Sequence, residues 1–271
     1  MHTKYKFLPI TLLVCSSFLW CCTKPVNINL PPDENRLVVE AYLTPQKRLA
    51  VALQTSTGIS NTQPVQLVSR ALVTIAHNGI TDTLRNSPYM DSANGRVYNY
   101  SSPVIMANDY VNTYTLTVFD SSNAKTYTAT TKLLVPVPID SINHAVNIDN
   151  EVSIGLKFTD PAAASNYYRR FVFTNEIDPE GNANFRFTDK LFNGEAFSVF
   201  TRFSFKRGDT VTVRLYNLNQ VHYEFLESIN TAEDAAGNPL SQPVFAKGNI
   251  SGDALGIFTA LSYAERKYIV P

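Results

Sequence analysis

From Arg36 onward the chain alternates apolar and polar residues with a period of two, the pattern of half-buried strands. In RLVVEAYLT, Leu37, Val39, Ala41 and Leu43 share one face, and Val38, Glu40 and Tyr42 the other. LAVALQTS (Leu49 to Ser56) reads as a second strand. RALVTIAHNGITDTLR holds two β-rich runs joined by Asn78-Gly79, residues suited to a tight primed turn whose two central positions take positive φ. Further strands follow in GRVYNY (Gly95 to Tyr100), TYTLTVF (Thr113 to Phe119) and KTYTATTKL (Lys125 to Leu133). Short strands at this spacing, broken by Asn, Gly and Ser, predict an antiparallel sandwich over residues 36–134.

Pro136 and Pro138 in LLVPVPIDS bias that segment toward an extended connector, marking a boundary before a second β-rich domain at 139–271. An edge crossover within one domain is the alternative. Strand patterns resume in EVSIGLKFTD, YYRRFVFTN, ANFRFTD, FSVFTRFSF and DTVTVRLYNL. One segment breaks the period: in NQVHYEFLESINTAED, Val221, Phe225 and Ile229, with His222 and Leu226 beside them, recur at helical spacing. Asn219 suits its N-cap, so one helix is expected near residues 220–232. Two closing strands are expected near PVFAKGNI and within ALGIFTALSYAERKYIV. The fold class is thus mainly β: a sandwich, then a β-rich domain carrying one helix.

The first residues have a different pattern. Lys4 and Lys6 precede an almost unbroken apolar run, Phe7 to Trp20, about as long as a signal-peptide core and too short to span a bilayer. The run ends on Cys21-Cys22, with Leu19 three places before Cys22. The segment looks like a bacterial lipobox with residues 1–21 as signal peptide and Cys22 as the lipidated residue; a plain secretory signal with incidental cysteines is the alternative. Polar, proline-bearing TKPVNINLPPDEN then reads as a tether, making 22–35 a spacer between lipid and fold.

Composition narrows the chemistry. Lys+Arg and Asp+Glu are both 23, and loss of Lys4 and Lys6 with the signal takes the formal charge from zero to −2. That balance points away from nucleic acid. Cys15 and Cys21 fall in the signal, so Cys22 is the one thiol beyond it, which leaves no pair for a disulfide or a Cys-rich zinc site. His77, His144 and His222 are widely separated, and no GxSxG elbow or phosphate loop occurs. No cofactor is expected, and no catalytic motif marks an enzyme. Asp160, Asp178, Glu180, Asp189, Glu195 and Asp209 are abundant carboxylates, but spacing alone pairs none of them. In DPEGNAN, Asp178, Glu180, Asn182 and Asn184 alternate as oxygen ligands suited to calcium, although Gly181 is misplaced for an EF-hand and a plain turn fits better. NYYRRF offers a possible interaction surface: Tyr167, Tyr168, Arg169 and Arg170 either form a sticky, partly exposed edge, or Tyr168 and Phe171 enter the core and leave the arginines solvated.

Several segments resemble, in order, the domain-of-unknown-function 4249 family of outer-membrane lipoproteins from Bacteroidota-type bacteria. They are CCTKPVNINLPPDENRLVVEAYLT, the PVPIDS junction, FTDPAAASNYYRRFVF, GDTVTVRLYNL and NISGDALGIFTALSYAERKYIVP. The most specific pieces are Asp160-Pro161 with Asn166-Tyr167-Tyr168-Arg169, and Asn249-Ile250 with Ala254-Leu255-Gly256; Asp253 and Ile257 depart from the expected glycine and aromatic. The strand order of the first half also resembles transthyretin-like and immunoglobulin-like accessory domains. The family resemblance implies an outer-membrane location, on the cell surface or the periplasmic leaflet, and association with a TonB-dependent receptor. It carries over no catalytic residue. A binding or accessory role is the leading expectation; a cell-envelope hydrolase using a carboxylate pair, or a structural adhesin-like module, are the alternatives.

If Cys22 carries the lipid, Cys22→Ala abolishes palmitate labelling in the native host. Continued labelling of that variant would rule the assignment out.

Overall fold

The computed structural model describes residues 35–56, 66–92, 95–174, 183–236 and 246–271. The signal, Cys22 and the tether lie outside them. Asn35–Pro271 forms one compact unit. Its first strands are β1 (Leu37–Leu43), β2 (Arg48–Thr55), β3 (Gln66–Leu67), β4 (Ala71–His77), β5 (Ile80–Asp91), β6 (Arg96–Ile105), β7 (Thr113–Asp120) and β8 (Lys125–Lys132). The remainder comprises β9 (Ser141–Val146), β10 (Val152–Thr159), β11 (Tyr167–Phe173), β12 (Ala183–Thr188), β13 (Ala196–Phe200), β14 (Thr210–Leu218), helix α1 (Gln220–Ala236), β15 (Leu255–Ala260) and β16 (Ser262–Ile269).

The alternation read from the sequence sets the local structure. β1 buries Leu37, Val39, Ala41 and Leu43 and turns Val38, Glu40 and Tyr42 outward. Asn78 and Gly79 take φ of 46° and 73°, making the primed turn that pairs His77 with Ile80. Helix α1 runs four residues beyond the expected end, to Ala236. The Asn219 carbonyl accepts the Tyr223 N–H at 3.0 Å, while its side-chain amide donates to the Lys132 carbonyl. The cap residue thus also ties the helix start to β8.

Two features of the sheets differ from the sequence-based expectation. The first half is one large mixed sheet, in the order β15-β1-β2-β6-β5-β4-β7-β8 with β3 beside β2. It curls until its ends nearly meet: Ala260 N donates to Thr131 Oγ1 at 3.2 Å, and Ser251 N to the Thr128 carbonyl at 2.8 Å. Asn249 spans the remaining gap, its amide donating to the Thr130 and Phe258 carbonyls and its oxygen accepting from Phe258 N. Second, β15 lies parallel to β1, with Val39 opposite Gly256 and Ala41 opposite Phe258. A strand from the expected C-terminal domain therefore completes the N-terminal sheet, and Phe258 and Ala260 join its core. The described part of PVFAKGNI, Ala246 to Ile250, is not a strand; both closing strands come from the segment after it.

The remaining strands make two small antiparallel sheets, β13-β10-β9 and β12-β11-β14-β16. They face each other across a second core containing Ile154, Leu156, Phe158, Tyr168, Val172, Val213 and Leu215. Phe192 and Phe197 stack within it at 3.9 Å between ring centroids. Val135–Pro138 runs between the two cores, with Leu133 in the first and Val137 in the second.

Gly256 is required by close approach. Its φ is +106°, and a Cβ there would sit 2.0 Å from the Val39 carbonyl oxygen, which cannot move without opening the β1–β15 pair. Gly256→Ala should lower unfolding stability by at least about 3 kcal/mol. Gly79→Ala, whose Cβ would meet nothing within 4 Å, should cost about 1–2 kcal/mol. Urea titrations of the two variants check the difference; equal losses would contradict the close-approach argument.

Candidate functional site

In β11 the run YYRRFVF places alternate side chains on opposite faces. Tyr168 and Val172 enter the second core. The other face carries Tyr167, Arg169, Phe171 and Phe173, and register extends it across the sheet. Arg169 lies opposite Arg186 and Tyr216, Phe171 opposite Asn184 and Arg214, Arg214 opposite Glu265, and Tyr216 opposite Tyr263. Two contacts with α1 cover part of this face: Tyr167 packs on Tyr223 at 5.2 Å, and Arg186 Nε meets Glu227 at 2.8 Å.

The uncovered part forms one wall of a cleft of about 590 Å³. The facing wall comes from the large sheet: Tyr42 of β1, Arg48 of β2, Tyr89 and Asp91 of β5, and Arg96 and Tyr98 of β6, with Lys47 beside them. His222 of α1 and Leu261 and Tyr263 close it. Four arginines and five tyrosines thus converge on one concavity. Arg96 lies over the Tyr42 ring at 4.0 Å, Arg48 over Tyr89 at 5.1 Å, and Arg214 over Tyr263 at 4.7 Å. These stacks hold each guanidinium against a π face, which stabilises the cation without neutralising it. Arg96 also meets Glu40 at 3.3 Å, Arg214 pairs with Glu265, and Arg169 Nε donates to Asn184 Oδ1 at 2.8 Å.

Positive charge dominates the electrostatics. Burial pulls the Arg169 guanidinium below its ordinary range, and Arg186 and Arg96 add to the shift against the opposing effect of Tyr216. His222 is 2% exposed, with its ring 5.9 Å from Tyr42. Burial first, then Arg169, Arg96 and Arg186, push its imidazole down to about 3, so the ring is neutral. Its Nδ1 has no hydrogen-bond partner among the described residues.

The residues singled out in the sequence separate into distinct environments. β11 is flanked by β12 and β14, so NYYRRF presents no sheet edge. Tyr167 and Arg169 look toward the helix and the cleft, whereas Tyr168 is fully buried and donates its hydroxyl to Asp160. Arg170 is also buried, over the Phe185 ring at 5.7 Å, with Nε and Nη1 unpartnered among the described residues. Burial lowers its pKa to about 10, which keeps it charged at neutral pH. Phe171 lies on the arginine-bearing face, since Tyr168 and Phe171, three apart on a strand, cannot share one.

Asp160 and Asp189 come together around Asn166. Asp160 accepts from Tyr168 Oη, Asn166 Nδ2 and Gly194 N, and Asp189 accepts from Asn166 N at 2.7 Å. The Asp160-Pro161 and Asn166-Tyr168 motif is therefore a loop clamp. Asp209 accepts from Lys206 N in a turn, and the Glu195 carbonyl accepts from Asp160 N. Asn184 is bonded to Arg169, whereas Asp178, Glu180 and Asn182 lie outside the described residues. His77 pairs with Asp82 at 3.1 Å and stacks on Tyr114, and His144 bonds the Tyr268 hydroxyl at 2.8 Å. Among the described residues no group of three or more His, Cys, Asp or Glu is placed to hold a metal ion.

Sequence reasoning missed most of the cleft: Arg48, Arg96 and Arg214, with Tyr42, Tyr89, Tyr98, Tyr216 and Tyr263. The available signal was their place on the outward positions of half-buried strands, as in VRLYNL, where Arg214 and Tyr216 alternate with buried Val213 and Leu215.

Among the described residues, fold and site together define a mainly β protein with one helix and a cationic, tyrosine-lined cleft between two cores. The chain belongs to the family described as domain of unknown function DUF4249, whose model matches residues 23–267. No curated protein matches it in sequence. Distant structural likenesses include a chain of a cytokine receptor complex, at 10% identity and TM-score 0.26, covering 68% of this chain and 86% of that one. Another is a two-domain fibronectin type III segment from chicken tenascin, at 12% identity and TM-score 0.20, covering 68% and 91%.

Buried, neutral His222 has a consequence for stability. Its ordinary pKa is about 6.5 and its folded value is lower, so its contribution is fully present above that pH and is lost as pH falls toward the folded value. Between about pH 6 and 4, unfolding free energy should fall more steeply in the native protein than in His222→Leu, by roughly 1 kcal/mol per pH unit. Urea titrations across that range check this; parallel slopes would contradict it.

Proposed function

We propose that this chain is a lipid-anchored binding protein of the outer membrane, working as an accessory to a TonB-dependent transport system. The observation that carries the binding role is the cleft, a concavity to which both cores contribute convergent arginines and tyrosines, residue types enriched where recognition energy concentrates. The apolar run ending at Cys22 supports the anchor, and family membership supports the setting. In this reading Cys22 carries the lipid and residues 23–35 act as the tether. At about 3.3–3.6 Å per extended residue, that tether could span about 45 Å, enough to clear the headgroups from either leaflet. Tyr167 and Arg169 border the surface that docks the transporter. The immunoglobulin- or transthyretin-like description of the first strands belongs to the same proposal.

A hydrolase using a carboxylate pair has weaker support, because hydrogen-bond donors already engage both Asp160 and Asp189 around Asn166. A purely structural adhesin leaves the convergence of cations in the cleft without a role.

Tagged protein crosslinked in native membranes should co-purify with a TonB-dependent β-barrel, and the double variant Tyr167→Ala/Arg169→Ala should recover several-fold less of it. Recovery of no such barrel, or undiminished recovery by the variant, would overturn the transport reading.

A further inference from the structure

Lys47, Arg48, Arg96, Arg169 and Arg214 line the cleft, against Asp91 as the acidic residue on its wall. Glu40 and Glu265 offset two of these cations through Arg96 and Arg214 and leave a positive excess, in a chain whose formal charges otherwise cancel. Surface arginines normally spread their charge into solvent. Here they are drawn together by tyrosine faces, close enough for Arg96 and Arg186 to disfavour the charge on Arg169.

An independent observation comes from His222. It is 2% exposed, lines the cleft and has no partner for Nδ1 among the described residues. A buried polar atom without a partner costs about 1–3 kcal/mol, and a ligand atom that bonds it removes that cost. The volume, about 590 Å³, falls in the range of small-molecule pockets. A planar guanidinium fork recognises carboxylate and phosphate oxygens in pairs, and tyrosine hydroxyls add neutral donors beside it.

We infer that this cleft binds a small polyvalent oxyanion, bearing carboxylate or phosphate groups, with Arg48 and Arg169 engaging its oxygens, Arg214 adding positive potential from its pair with Glu265, and His222 supplying a neutral hydrogen bond from the cleft wall. Arg96 holds the Tyr42 face in position. The binding is non-covalent and leaves the Glu40 and Glu265 pairs in place. This inference rests on the binding role proposed above but not on the transporter.

The test uses full-length lipoprotein in detergent, titrated calorimetrically with citrate and, separately, pyrophosphate. At least one probe should bind saturably at one site, and Arg48→Gln, at an exposed position, should weaken it about tenfold or more. His222→Phe should weaken it as well without narrowing the effect to one probe. Binding of citrate alone identifies a carboxylate ligand, and binding of pyrophosphate alone a phosphate ligand; each supports the site. Binding of neither probe, or binding undiminished in both variants, would overturn it. Transporter recovery with Arg48→Gln is read separately: anion binding lost with the transporter retained leaves the accessory role standing, and transporter lost with anion binding intact removes only that role.

Discussion

The parallel pairing of β1 with β15 is the constraint on which the rest of the structure depends. After building a second core of its own, the chain returns to the first sheet, runs along β1 from Val38 to Leu43, and leaves it at once. Only Leu261 separates β15 from β16, and its N–H donates to the Leu43 carbonyl at 2.7 Å. β16 then pairs with β14 in the other sheet. One residue therefore fastens the nearly closed sheet to the four-stranded sheet, and the cleft opens beside that fastening, with Leu261 and Tyr263 in its wall. Glycines permit the close approach. A Cβ at Gly256 would strike the Val39 carbonyl, and one at Gly248 would lie 1.9 Å from the Gly256 carbonyl oxygen.

Gathering several arginines in one hollow is electrostatically unfavourable unless each is stabilised locally. Here the means vary from residue to residue. Arg96 and Arg214 combine a ring face with a carboxylate, Arg48 has the Tyr89 ring, and Arg169 has an amide oxygen and the Phe171 ring at 5.3 Å. Aromatic faces stabilise a cation without neutralising it, so the cleft keeps a positive potential that a set of simple salt bridges would cancel. His222 fits the same arrangement: a protonated ring would add charge where cations already crowd, and the protein holds it neutral by burial.

Much of the local structure was legible in the sequence, because local structure follows from local periodicity. The alternation of β1, the Asn78-Gly79 hairpin and the helix beginning at Gln220 each depend on neighbouring residues alone. The β1–β15 pair joins segments from opposite ends of the fold, and no periodicity encodes which distant strand fills an edge. The site was hidden for the same reason. Its walls come from β1, β2, β5, β6, β11, β14, α1 and β16, each contributing between one and three residues that carry no common signature when read one at a time. In NYYRRF the residue types suggest a single exposed edge, but β11 is an inner strand, and alternation sends Arg169 to the cleft and Arg170 into a buried position.

The cleft draws its lining from both cores, and hydrogen–deuterium exchange of the full-length protein with and without saturating citrate or pyrophosphate, whichever binds, tests most directly whether it acts as one recognition surface. Protection should concentrate in peptides covering Tyr42–Arg48, Arg96–Tyr98, Tyr167–Phe171 and Arg214–Leu226, which lie on both sides of the cleft. Protection confined to one side, or appearing at surfaces remote from these peptides, would contradict it.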